Sequence, residues 1–312
     1  MNFKKLLSAW MHDKQIYTLK RRTYLRYEEI IRTQIEPSLG EFDTSELTVP
    51  ILFSFQQKKL EEGNVLTGKP LATNTVRNMM SIVINAIEYG RKIGASVCKT
   101  ENLLPLHIEE KAITAFCKGE QRKIEKTVFE SKKANHFGVI LCLYTGLRLG
   151  ELLALEWKDI DFRTGLLTVS KTSAVIQDNG IYEIHVDRPK TESSRRVIPI
   201  SKPILSRLKE LRKNSSSELI ISTRNGGHVS NRSYQTTFAR ILKKAKVEYK
   251  SFHVLRHTFA TRALECGVDI KTLSELMGHK SPVITMKRYV HSLMETKRKA
   301  METLAKSLNL EK

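Results

Sequence analysis

Cysteine is scarce in this chain of 312 residues: Cys98, Cys117, Cys142 and Cys266 lie far apart and form no Cys-x-x-Cys pair. That spacing argues against a zinc ribbon and a disulfide framework and makes reduced thiols the expectation. Long hydrophobic runs are missing as well. No stretch of about 18 apolar residues occurs, and the opening MNFKKLLSAWMHDKQ has no apolar signal core, so neither membrane insertion nor secretion is expected. Acidic residues are in deficit, with 33 Asp and Glu against 53 Lys and Arg, a formal net charge of +20. No internal repeat is found, and only Ser215-Ser216-Ser217 approaches low complexity.

The positive charge is unevenly spread. Residues 1–110 hold 15 Lys and Arg against 13 Asp and Glu, whereas residues 111–312 hold 38 against 20. The excess is therefore +2 and then +18. Such a field attracts a polyanion and makes its binding salt-dependent, and nucleic acid is the commonest such partner. Charge alone leaves a merely soluble basic protein as the alternative. The expected location is the cytoplasm, in association with the nucleoid if DNA is the partner.

The length favours two domains. Tyr24, Tyr27, Ile31 and Ile35 recur at helical spacing and predict a helix over 19–35, ended by Pro37 and Gly40. Further helices are predicted over 49–61 and from Thr73 to about Gly94, making residues 1–105 a small helical domain. Residues 106–120 read as a linker and 121–312 as the second domain. There, helices over 124–134 and 136–156, the latter interrupted around Gly146, precede short β-branched runs at 166–170, 182–186 and 196–200. These predict one three-stranded antiparallel sheet. From Lys202 onward the pattern is helical, apart from a short strand at 218–222.

The stretch HVLRH, 253–257, puts His253, Arg256 and His257 at helical spacings that let them share a face. Metal ligands, a phosphate clamp and ordinary helix-surface residues all fit the pentapeptide. A zinc-protease helix needs a glutamate inside HExxH, but positions 254 and 255 are Val and Leu, and a cation beside Arg256 is electrostatically unfavourable. No metal and no cofactor is expected.

Three other stretches join HVLRHTFAT: TGLRLGELLAL at 145–155, DRPKTESSRRVIPI at 187–200 and LMGHKSPVITMKRYVH at 276–291. In this order, and ending in a tyrosine, they resemble the tyrosine site-specific recombinases, the phage integrase family. The resemblance spans essentially the whole chain. It implies a mainly α fold with a small antiparallel sheet, in which an N-terminal helical, SAM-like core-binding domain and a C-terminal catalytic domain clamp DNA.

Cutting a phosphodiester without water requires a nucleophile, cations at the non-bridging oxygens and a proton for the leaving sugar oxygen. By the resemblance, Arg148 and Arg256 form the charge clamp, a task suited to a guanidinium that donates paired hydrogen bonds and stays charged. Glu151 supports them by orienting the site. Lys190, in the turn between the second and third predicted strands, is the general acid; Lys171, Arg188, Arg195 and Arg196 are neighbouring bases. His253 assists proton transfer at the tyrosine, His279 donates to the phosphate, and His257 is structural. Tyr289, with an ordinary phenol pKa of about 10 and Lys287 and Arg288 beside it, is the nucleophile.

The implied reaction forms a 3′-phosphotyrosyl enzyme and a free 5′ hydroxyl, and reverses with a second duplex, using neither ATP nor metal. The implied partners are double-stranded DNA carrying a recombination site, four copies of the chain on two duplexes, and accessory DNA-bending or directionality proteins. Residues 294–310 carry Leu304 and Leu308 on one stripe, suited to docking on a neighbouring protomer or on the chain itself. Many phage integrases have a small β-rich arm-binding domain before the helical one. Here the helical domain starts almost at once, which favours a Xer-like, integron-like or mobile-element enzyme, the alternative being a longer precursor whose preceding region binds the arm sites. Two other readings remain at this point: a non-catalytic DNA-binding regulator, and a type IB topoisomerase-like enzyme that reseals without exchange.

Overall fold

The computed structural model describes residues 1–312 except 18, 64–66, 101–102, 104–105, 108–114, 132, 179–180, 188–194, 290–293 and 309–312. Only the backbone is described at 15–17, 177–178, 181, 287–289, 294–297, 299–300 and 306. Two compact units result: Met1–Lys111 with Gln177–Ile181, and Ala112–Ile176 with Tyr182–Lys312. Among the described residues no helix is long and apolar enough to cross a membrane.

The first unit is helical. Helix α1 (Phe3–Tyr17) buries Phe3, Leu6, Leu7 and Trp10 at three and four spacing, and α5 (Thr73–Lys92) buries Val76, Met80, Val83 and Ile87. Between them run α2 (Arg21–Ile30), a π-helical turn (Ile31–Ile35), α3 (Glu36–Leu39) and α4 (Val49–Glu62). Pro37 does not end the helix begun by α2. The widened π turn precedes it, which relieves the clash between its ring and the carbonyl four residues earlier, and the helix runs on to Leu39.

In the second unit, α6 (Lys118–Phe129) begins inside the stretch read as a linker, because Cys117 and Glu120 form a capping box there. Phe116 just before it is fully buried in the core of this unit. Helix α7 (Ala134–Thr145) buries every residue from Phe137 to Leu143 and is the central helix, packed against α11 (His253–Glu265). The remaining helices are α8 (Leu149–Leu153), α9 (Lys202–Lys213), α10 (Asn231–Lys244), α12 (Ile270–Met277), α13 (Pro282–Tyr289) and α14 (Met294–Ser307).

The single predicted sheet is instead two. Strands β1 (Ile160–Asp161), β2 (Leu166–Val169) and β5 (Arg196–Pro199) form one antiparallel sheet, with Leu167 opposite Ile198. Strands β3 (Thr172–Asp178) and β4 (Ile181–Asp187) pair with each other in a separate two-stranded sheet. Side-chain alternation marks a strand but not its partner, and β2 pairs across the whole intervening hairpin. The expected strand at 218–222 is reduced to two isolated bridges, Glu156 with Leu219 and Ser222 with His228.

Candidate active site

The site is organised by two turns that glycine makes possible. Helix α7 ends at Gly146, whose φ of +66° lies in the left-handed region, and this turns its carbonyl toward α11. Arg256 Nη1 donates to that carbonyl at 2.6 Å. A Cβ at Gly146 would stand 2.5 Å from Cδ1 of Phe259. Gly146→Ala is therefore expected to cost about 2–4 kcal/mol, from left-handed strain plus overpacking, measured as a lowered urea midpoint. A loss under about 0.5 kcal/mol would mean that the turn tolerates an ordinary side chain.

The second turn is the end of α12, where Gly278 takes φ +61°. The final carbonyls of a helix lack intrahelical partners and carry partial negative charge. Three arginines from three different elements satisfy three in succession. Arg196 Nε of β5 donates to Leu276 O at 2.7 Å, Arg256 Nη2 of α11 to Met277 O at 2.5 Å, and Arg148 Nη2, just before α8, to Gly278 O at 3.1 Å. Arg256, only 2% exposed, is thus held by one carbonyl on each side.

Glu151 ties this group together from below. It is the third residue of α8, where its carboxylate accepts the Arg148 backbone N–H at 2.9 Å and Nη1 at 2.8 Å. Arg196 supplies a fork, Nη1 at 3.1 Å and Nη2 at 2.8 Å. Burial pushes the carboxyl of Glu151 up, but the hydrogen bonds and charge of Arg196, then the charge of Arg148, outweigh it and hold the group below the usual carboxylate range. Gly150 lets β3 approach closely, since a Cβ there would meet the Ser173 carbonyl and the Thr172 hydroxyl at 2.6 Å.

His279 follows Gly278 directly, half-buried, with Nδ1 at 2.7 Å from Oγ1 of Thr285. His253, the first residue of α11, is exposed, and its ring meets that of buried His257 edge to face with centroids 4.7 Å apart. Among the described residues no three metal-binding side chains cluster. Tyr289 is the last residue of α13, ten beyond His279. Its side chain, and Lys190 altogether, lie outside what the structure describes.

The structure therefore brings Arg148, Glu151 and Arg256 together, and His279 directly follows Gly278, whose carbonyl Arg148 holds. It also adds Arg196, which sequence reasoning had placed only among the bases near Lys190. A signal for it exists: in RVIPI, strand alternation puts Arg196, Ile198 and Ile200 on one face, and the two isoleucines are buried. An arginine on a core-facing row needs buried acceptors, and Glu151 supplies two of them.

Comparison with known proteins gives this arrangement its class. Residues 107–296 match the phage integrase family, and residues 2–60 match the N-terminal SAM-like domain of phage integrases. A tyrosine recombinase XerC-like protein of Caldanaerobacter subterraneus subsp. tengcongensis is 30% identical over 324 residues, covering 96% of this chain and 81% of its own length. The integrase of transposon Tn1549, solved in complex with a circular intermediate DNA, shares the fold with a TM-score of 0.80 at 22% identity, covering 98% of this chain and 100% of that one. A lambda integrase tetramer bound to a Holliday junction has a TM-score of 0.67 at 20% identity, covering 90% of this chain and 78% of that one. The chain belongs to the phage integrase family, the tyrosine recombinases, which break and rejoin DNA strands.

Proposed function

We propose that the protein is a site-specific recombinase of a mobile element, cutting DNA through a covalent 3′-phosphotyrosyl intermediate. The observation that carries this reading is the anchoring of Arg148 and Arg256 on consecutive carbonyls at the end of α12, immediately before His279. Guanidiniums held in this way are oriented before substrate arrives, so little reorganisation is needed when charge develops on phosphorus oxygens.

In the reaction, Tyr289 Oη attacks the scissile phosphorus as its phenolic proton passes toward His253. The bond from phosphorus to the 5′ oxygen breaks, and the Lys190 ammonium supplies the proton that oxygen needs. Arg148 and Arg256 neutralise the non-bridging oxygens, His279 donates to one of them, and Glu151 keeps the arginines in place. The phosphotyrosyl bond conserves the energy of the broken linkage, and a 5′ hydroxyl from a second duplex reverses the step.

Double-stranded DNA is the substrate in this reading, and four copies act together, as in the lambda integrase tetramer on its Holliday junction. The positive excess of the second unit supports the DNA contact. Accessory DNA-bending or directionality proteins, and a nucleoid-associated cytoplasmic location, belong to the same reading. A non-catalytic regulator is not favoured, because it leaves the matched Arg148, Lys190, His253, Arg256, His279 and Tyr289 without a role.

The test incubates nicked suicide duplexes from the DNA flanking the gene with the wild-type protein and with Tyr289→Phe, in EDTA. A denaturation-resistant 3′ adduct mapping to Tyr289, and absent from the variant, is the expected result. An adduct that survives Tyr289→Phe, or that vanishes with EDTA, would overturn the mechanism.

A further inference from the structure

Thr285 is fully buried on α13, and its hydroxyl meets an imidazole rather than a carbonyl. The hydroxyls of Thr33, Thr145, Thr236, Thr237 and Thr258, also on helices or at a helix end, each donate instead to the carbonyl four residues back. The Oγ1 of Thr285 lies 2.7 Å from Nδ1 of His279. This contact has a chemical consequence for the other ring nitrogen. A neutral imidazole carries one proton, and the partner at Nδ1 decides which nitrogen holds it.

We infer that Thr285 is a positioning residue for His279 and for the helix that carries Tyr289; the inference rests on the recombinase reading above. In the neutral ring, the arrangement that leaves Nε2 a donor for the phosphate is the one in which the threonine hydroxyl donates to Nδ1 and the proton sits on Nε2. With the ring protonated, Nδ1–H donates to Oγ1, and Nε2 again carries a hydrogen. A hydroxyl both donates and accepts, so this contact survives protonation of the ring, and in that arrangement His279 presents Nε2–H to the phosphate in either charge state. A carboxylate or carbonyl in its place would only accept, drawing the proton of the neutral ring to Nδ1 and removing the donor from Nε2.

The same bond shortens a tether. Tyr289 lies ten positions beyond His279, but Thr285 is only one helical turn before Tyr289 on α13. The hydrogen bond therefore fastens the backbone that bears the nucleophile to the residue that contacts the phosphate. Position and tautomer are set by one side chain.

The first measurement needs no DNA. Full-length protein labelled with ¹⁵N-histidine is examined by long-range ¹H–¹⁵N correlation at a pH where the ring is neutral, with His279 assigned through His279→Gln. The wild type and Thr285→Ser are expected in the Nε2–H form, and Thr285→Val in a mixture. The second measurement is adduct formation on the nicked duplexes described above. Thr285→Val is expected to slow it by about 10- to 100-fold with DNA binding retained, Thr285→Ser to restore most of the rate, and Thr285→Val to add nothing in the His279→Gln background. Should Thr285→Val not fold, Thr285→Ala is read in the same way.

A wild-type ring with its proton on Nδ1, an unchanged tautomer in Thr285→Val, or full additivity with His279→Gln would overturn the inference. Absence of any wild-type adduct on a duplex the protein binds would instead overturn the recombinase reading, while the tautomer spectra still decide the role of Thr285.

Discussion

Arg196→Met is expected to destabilise the protein by about 3–5 kcal/mol, the usual consequence of removing one partner from a buried ion pair. Both members are enclosed: the side chain of Arg196 is 5% exposed and that of Glu151 is 4% exposed. Methionine fills much of the volume but supplies no donor to the Glu151 carboxylate or to the Leu276 carbonyl. Glu151 would then rely on Arg148 alone, whose side chain is 36% exposed and less able to offset burial.

The dependence on pH identifies the cause. In the wild type, the depressed carboxyl of Glu151 contributes stability that is present above the unfolded value, about 4.5, and is lost as pH falls through the lower folded value. Without Arg196, burial dominates and pushes the same carboxyl up, so its charged form opposes folding. The gap between the two proteins should thus be widest near neutral pH and narrow toward acid, where a protonated Glu151 has no need of an arginine. Urea unfolding of both proteins between pH 4 and 8 measures this; a gap that stays constant with pH would mean that lost packing, rather than the orphaned charge, is responsible.

Arg256→Lys is expected to lower single-turnover adduct formation by about 10²- to 10³-fold, the scale found for losing one preorganised charge-stabilising donor. The guanidinium bridges Gly146 O and Met277 O through two different nitrogens, which fixes its plane. A lysine ammonium keeps the charge, but a single nitrogen on a flexible stem cannot reproduce that bridge or present a paired fork to phosphate. DNA affinity should change much less than rate, because the substitution keeps the positive charge of a strongly basic unit. A rate within tenfold of wild type would show that charge alone, without the planar fork, is sufficient.

How much of this was legible in the sequence depends on the kind of information required. The helices over Val49–Glu62 and Thr73–Lys92 were readable because apolar residues recur with the helical period and turn residues bound them. The π turn before Pro37 was not, since a proline reads as a stop unless the preceding turn is known to widen. Strand partners were hidden because β2 finds β5 across the β3–β4 hairpin, and alternation says nothing about distance along the chain.

The candidate site divides along the same line. Arg148, Arg256, His279 and Tyr289 were named from local motifs, whose flanking residues are specific enough to be recognised one stretch at a time. Arg196 and Thr285 sit inside those quoted stretches, yet each takes its meaning from a partner: Glu151, 45 positions away, and the ring of His279. The sequence by itself determined the class of chemistry, because a phosphate clamp and a tyrosine are written as short contiguous patterns. Only the tertiary structure decided what holds them, because hydrogen bonds to the closing carbonyls of α12 come from β5, α11 and the turn before α8. Those elements meet through packing of the whole unit, and no local pattern encodes that meeting.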